Sequence, residues 1–199
     1  MQPPLEIGNT TSMVYIPSLD ARSDEWFDRV VQANRDRRIE RNAKGDLEIM
    51  SPTGAESGAR NALISARLFL WAEKDGSGRT YDSSTGFQLP NRAIRAPDAS
   101  WISRSRLTNL SAEEMAGYLP LAPDFVIELR SPSDSLARLR AKMAEYIENG
   151  AELGWLIDPI SQQVHIYRQG RPVEELESPA TVSGDPVLKG FVLDLAEIW

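Results

Sequence analysis

A chain of 199 residues, 41% hydrophobic and 26% charged, has the size and balance of one globular domain. The absence of cysteine rules out disulfides, thiolate metal sites and cysteine nucleophiles, and a single histidine rules out a histidine-cluster zinc site. A net charge of −7 argues against a general nucleic-acid binder, so any nucleic-acid chemistry must rest on local charge or on subunits that assemble a groove.

No apolar run approaches the ~20 residues of a membrane helix. Residues 1–6 lack the basic-then-apolar pattern of a signal peptide. A cytoplasmic protein is expected. No repeat or low-complexity segment marks a boundary, so one domain is expected over 1–199, with 1–22 as an N-terminal extension.

In chain order, Ser12 to Ile16 reads as a short strand. Ser23 is placed to cap a helix from Asp24 to Ala33, with Trp26, Phe27, Val30 and Val31 on one face. Arg35-Asp36-Arg37-Arg38 is a charged turn. Arg38 to Glu40 and Asp46 to Met50 read as a hairpin across Asn42-Ala43-Lys44-Gly45. After Ser51-Pro52-Thr53-Gly54, a long helix is predicted from Ala55 to Glu73, with Ala62, Leu63, Ser65, Ala66, Phe69 and Leu70 as the face that packs on a sheet and Gly76 and Gly78 beyond its end. Its early residue Glu56 has two readings. A carboxylate in the first turn complements the helix dipole, or it adds a third acid to a site.

Strands are predicted at Arg79 to Ser83, Gly86 to Leu89 and Pro97 to Ile102, with Asn91 to Ala96 as a link. Ser111 with Glu114 matches a capping box and predicts a short helix to Tyr118. Phe125-Val126-Ile127-Glu128-Leu129 reads as a strand buried on both faces. Ser133 or Asp134 then caps a helix from Leu136 to Asn149. Gly154 to Asp158 and Gln163 to Tyr167 are predicted as antiparallel neighbours, the latter containing His165. Strand-like pieces follow at Val173 to Leu176 and Val192-Leu193, and a helical end at Leu195 to Trp199. This order gives an α/β domain with a mixed sheet and helices on its faces.

The chemistry concentrates in three residues. An ionised Glu128 inside an apolar strand costs several kcal/mol, by a rough estimate, unless a cation, a metal or hydrogen bonds compensate it. Asp98 lies near the start of a candidate neighbouring strand, and Lys142 lies on the following helix. Two carboxylates on rigid strands, with a backbone carbonyl at Leu129, suit Mg²⁺, which takes hard oxygen ligands. Such an ion stabilises charge on a phosphodiester and acidifies bound water, while Lys142 orients or deprotonates that water. The plainer alternatives are a strand-start cap for Asp98, an ion pair of Glu128 with Arg130 or Lys142, and a solvated helix face for Lys142. A serine-histidine triad finds no Gly-x-Ser-x-Gly elbow. Gly54-Ala55-Glu56-Ser57-Gly58 lacks the Gly-Lys ending of a phosphate loop.

Several segments together resemble the Uma-type family of endonucleases. These are Ser51 to Gly58, Pro97-Asp98-Ala99-Ser100, Pro123 to Asp134, Lys142 to Gly150 and Gly154-Trp155-Leu156-Ile157-Asp158-Pro159. The resemblance covers roughly Trp26 to Tyr167. It implies a restriction-endonuclease-like fold of the PD-(D/E)XK superfamily, a mixed β-sheet flanked by α-helices. It also implies a Mg²⁺ site, with Mn²⁺ as a substitute, and DNA as substrate. Asp98 then matches the motif aspartate, Glu128 the second acid, and Glu56 an acid of the early helix. Two places after the second acid the usual lysine is replaced by Arg130, and Lys142 fits the position to which the family moves it. The expectation is a Mg²⁺-dependent endodeoxyribonuclease acting as a homodimer. Its alternatives are a non-catalytic binding module that retains the fold, or a hydrolase of another phosphate ester.

Overall fold

The computed structural model describes residues 23–199. The strand expected at Ser12 to Ile16 lies outside the described residues. The chain divides into two compact units, one ending at Pro52 and the other spanning Thr53–Trp199.

In the first unit, α1 (Asp24–Ala33) starts at Ser23, whose hydroxyl accepts the Trp26 amide. Trp26, Phe27 and Val30 are buried, as their spacing predicts. β1 (Arg38–Arg41) pairs antiparallel with β2 (Leu47–Met50). Their turn is closed by the Asn42 Oδ1, which accepts the Lys44 and Asp46 amides, and by Gly45 at φ 85°.

The second unit opens with α2 (Ala55–Asp75), two residues longer than expected, and ends at Gly76 in the left-handed conformation. After it come β3 (Gly78–Asp82), the small antiparallel pair β4 (Phe87–Gln88) and β5 (Ile94–Arg95), and β6 (Ala99–Ser103). One-turn α3 (Arg104–Leu107) and α4 (Ala112–Ala116) follow, the latter with the predicted capping box complete. Next are β7 (Phe125–Leu129), α5 (Leu136–Glu148), β8 (Leu153–Asp158) and β9 (Gln163–Arg168). β10 (Glu174–Glu177), β11 (Thr181–Ser183) and β12 (Val192–Asp194) complete the unit.

Its main sheet has six strands in the order β10-β9-β8-β7-β6-β3. Every pairing is antiparallel except β7 with β8, which are parallel and joined through α5. Parallel neighbours need such a crossover. All five residues of β7 and all six of β8 are buried, as expected for central strands covered on both sides.

Alternation sorts the side chains into two cores. Ile64, Leu68 and Ala72 of α2 pack with Ala99, Trp101, Phe125, Ile127 and the C-terminal Phe191 and Leu193. On the other side Met143 and Tyr146 of α5 pack with Ile102, Val126 and Leu156. The Arg95 guanidinium, 2.6 Å from Glu145, ties the β4–β5 pair to α5.

Four local expectations are corrected. The expected packing face of α2 is not the buried one: Ile64, Leu68 and Ala72 turn inward, one step from Leu63, Phe69 and their neighbours, and Phe69 and Leu70 are exposed. The link from Asn91 to Ala96 contains β5, too short to give a period. The helix after β7 is capped at Ser135, because Asp134 is engaged by the Ser131 amide and hydroxyl, closing the preceding turn. The C-terminal residues form a turn after β12 rather than a helix, with the Ile198 amide donating to the Leu195 carbonyl.

Candidate active site

In β7, Phe125 and Ile127 face α2 while Val126 faces α5. Alternation carries Glu128 to the α5 side. There Lys142 Nζ lies 2.8 Å from Glu128 Oε1, and the Tyr146 hydroxyl donates to the same oxygen at 3.1 Å. Lys142 and Tyr146 are four residues apart, so the helix stacks them on one face. The ammonium sits 5.9 Å from the centre of the Tyr146 ring. Side-chain exposure is 5% for Glu128 and 11% for Lys142, so both charges are largely removed from water. One ion pair and a hydroxyl bond offset that desolvation.

Asp98 immediately precedes β6 and is half-buried. Its Oδ2 accepts the Leu129 amide at 2.8 Å, which places the carboxylate beside the peptide joining Glu128 to Leu129. The register agrees. Ala99 pairs with Ile127, so one step further Asp98 stands opposite Glu128. The Asn61 amide of α2 lies 3.4 Å from the other Asp98 oxygen. Asp98, Glu128, Leu129 and Lys142 are thus gathered at one end of the sheet.

Arg130 goes elsewhere. Its guanidinium pairs with Asp158 at the end of β8, at 2.7 Å. Asp158 is fully buried and also receives the Ser161 hydroxyl and the Ile160 amide. Burial pushes its carboxyl up, but the bonds from Ser161, Arg130 and the Ile160 and Ser161 amides outweigh that and hold it below the ordinary carboxylate value. Glu56 is exposed in the first turn of α2. Among the described residues no group of three or more His, Asp or Glu side chains is placed to hold a metal ion, so the structure does not gather Glu56 with Asp98 and Glu128.

Two contributors escape a reading by motif. Tyr146 looks like one more apolar helix position, and only its spacing from Lys142 hints at its second role. Asn61 extends the buried stripe Ile64, Leu68, Ala72 by one turn toward the start of α2. A polar residue in such a stripe is the signal, and its Oδ1 is buried without a hydrogen-bond partner.

A six-stranded mixed sheet with helices on both faces is the restriction-endonuclease-like fold. The profile of the Uma2 family, described as "Putative restriction endonuclease", matches residues 24–196. The chain belongs to that family. Among solved structures it is similar to that of "a putative nuclease belonging to DUF820" from Anabaena variabilis ATCC 29413. The TM-score is 0.71 at 20% identity, covering 82% of this chain and 90% of that one. No curated protein matches the chain. Among the described residues no helix is long and apolar enough to cross a membrane.

Proposed function

We propose that the chain is a Mg²⁺-dependent endonuclease that hydrolyses DNA phosphodiester bonds, with Mn²⁺ able to replace Mg²⁺. The observation that carries this reading is the Lys142–Glu128 contact of 2.8 Å on the strand end where Asp98 accepts the Leu129 amide. The donor set fits the ion. Mg²⁺ takes one or two carboxylates and keeps several waters. Asp98, Glu128 and the Leu129 carbonyl would hold it, and the partnerless Asn61 Oδ1 adds a hard oxygen beside Asp98. When bound, the ion supplies positive charge to the scissile phosphate and lowers the pKa of a water.

The chain's own residues do the rest. The Leu129 amide and Asn61 fix the rotamer of Asp98. Tyr146 fixes one oxygen of Glu128. Lys142 holds its ammonium beside the acids, where it orients the attacking water and neutralises charge that builds on the phosphate oxygens. The low exposure of Glu128 and Lys142 strengthens each of these interactions. Arg130 supports β7 against β8 and takes no part in the reaction. Glu56 is given no ligand role in this reading. Two copies acting together would combine two single-strand cuts, and we include a homodimer in the proposal.

Incubation of supercoiled plasmid with Mg²⁺ or EDTA tests it. Nicking is expected with Mg²⁺ only, falling at least a hundredfold in Asp98→Ala and Glu128→Ala. Nicking that survives in either variant contradicts the site. DNA binding with no metal-dependent nicking would instead support the non-catalytic module, in which the Glu128–Lys142 pair is purely structural.

A further inference from the structure

At the opposite end of the sheet a second concave site is lined by arginines. A cavity of about 460 Å³ is lined by Arg106, Arg168 and Arg171, with Gln169, Glu152 and an apolar wall that includes Pro186 and Val187. Its residues come from separate places in the chain. Arg106 lies on α3, Glu152 just before β8, Arg168 at the end of β9, Arg171 in the following turn, and Pro186 and Val187 between β11 and β12. Arg168 pairs with Leu153 on β8, and Glu128 pairs with Leu156 three residues further along that strand. At roughly 3.3 Å per residue the two levels are about 10 Å apart, and Asp98, Glu128 and Lys142 are not among the lining residues. It is therefore not a lobe of the proposed nuclease site.

We propose that this cavity binds a phosphate group. Arg106 uses Nη1 on Asp124 at 2.6 Å, and Arg168 uses Nη1 on Glu174 at 3.2 Å. Those pairs hold the two guanidinium groups in place, and among the described residues their other nitrogens make no side-chain bonds. Arg171 is exposed and has no ion pair among the described residues. Three planar forks around one concavity match the geometry of phosphate oxygens, which guanidinium binds in pairs. Glu152 is the one acid on the wall, and Asp124 and Glu174 balance Arg106 and Arg168, so the site offers a phosphate directed guanidinium donors rather than an excess of charge. The volume is that of a nucleotide-sized ligand, and the Pro186–Val187 wall gives a sugar or base an apolar surface. A phosphate monoester on a free nucleotide and a phosphodiester of a polynucleotide present the same group.

Binding is measured by calorimetry in metal-free buffer with thymidine 5′-monophosphate, thymidine and an eight-residue oligothymidylate. Phosphate-bearing probes are expected to bind, and thymidine is not. Arg171→Ala weakens binding roughly tenfold or more. Glu152→Gln tightens it. Binding of the mononucleotide identifies a free nucleotide as the source; binding of the oligomer alone identifies backbone phosphate. Glu128→Gln is expected to bind as the wild type does, so a failure of the nuclease reading leaves this site standing. Equal binding of thymidine, no binding of any probe, or equal affinity in Arg171→Ala overturns the proposal.

Discussion

Lys142 and Arg130 are the two cations within reach of Glu128 along the sequence, and their fates differ because their elements differ. A residue two places after Glu128 has left the strand, and Arg130 meets the end of β8, where buried Asp158 requires a partner. A residue on α5 lies over the face to which Glu128 points. Substituting each separates the roles. Lys142→Ala is expected to lose at least a hundredfold in cleavage rate even at a temperature where it is fully folded, and also about 3 kcal/mol of stability by stranding buried Glu128. Arg130→Ala is expected to lose about 3 kcal/mol of stability by stranding Asp158, with cleavage retained at low temperature. Denaturant titration alongside the nicking assay reads both, and a reversed pattern would place Arg130 in the site.

Asp158 also sets a pH dependence. Its carboxyl is held below the ordinary value in the folded protein. Such a group contributes stability above its unfolded pKa of about 3.9, and that contribution is lost as pH falls through the lower folded value. Asp158→Asn should therefore be less stable than the wild type at pH 7, with the gap narrowing below about pH 4. A gap independent of pH would mean that packing, not charge, is what the substitution removes.

At the scale of elements, the long helices and central strands were legible because each carries a full period of burial. The apolar run of β7 and the stripes of α1 and α5 bury the faces their spacing indicates, whereas α2 turns Ile64, Leu68 and Ala72 inward and leaves Phe69 and Leu70 of its expected face exposed. The two-residue β5, the one-turn α3 and the three-residue β11 were not legible, because they are shorter than any period. The C-terminal helix failed because Val192 and Leu193 commit the chain to pairing with Ser183 and Val182, and only a turn remains after them.

The strand that positions Asp98 depends on a close approach at Gly78. A methyl there would lie 2.3 Å from the Ile102 carbonyl oxygen and 2.4 Å from the Trp101 ring. Gly78→Ala is expected to cost about 1–3 kcal/mol by forcing β3 away from β6. Thermal unfolding measures it, and an unchanged midpoint would show that the edge strand yields freely.

At the scale of the whole molecule, an acidic chain that met a polyanion would have to do so through local positive charge. Lys142 stands at one end of the sheet and the three arginines of the distal cavity at the other. Composition announced the acidity but not this arrangement, since it arises only when β7, β8 and β9 align their ends. The motif aspartate, the strand glutamate and the helix lysine were all readable as residues. That the structure brings them to one sheet end, and leaves Glu56 out of that group, depends on register and helix placement, which spacing alone does not fix.

The central claim is that Asp98 and Glu128 share one divalent cation. Calorimetric titration of Mn²⁺ into the wild type and Glu128→Gln, both checked for native circular dichroism, addresses it most directly. We expect one site per chain in the wild type and at least tenfold weaker binding in the variant. Equal affinity in the two proteins would remove Glu128 from the ligand set and leave its contact with Lys142 as a buried ion pair.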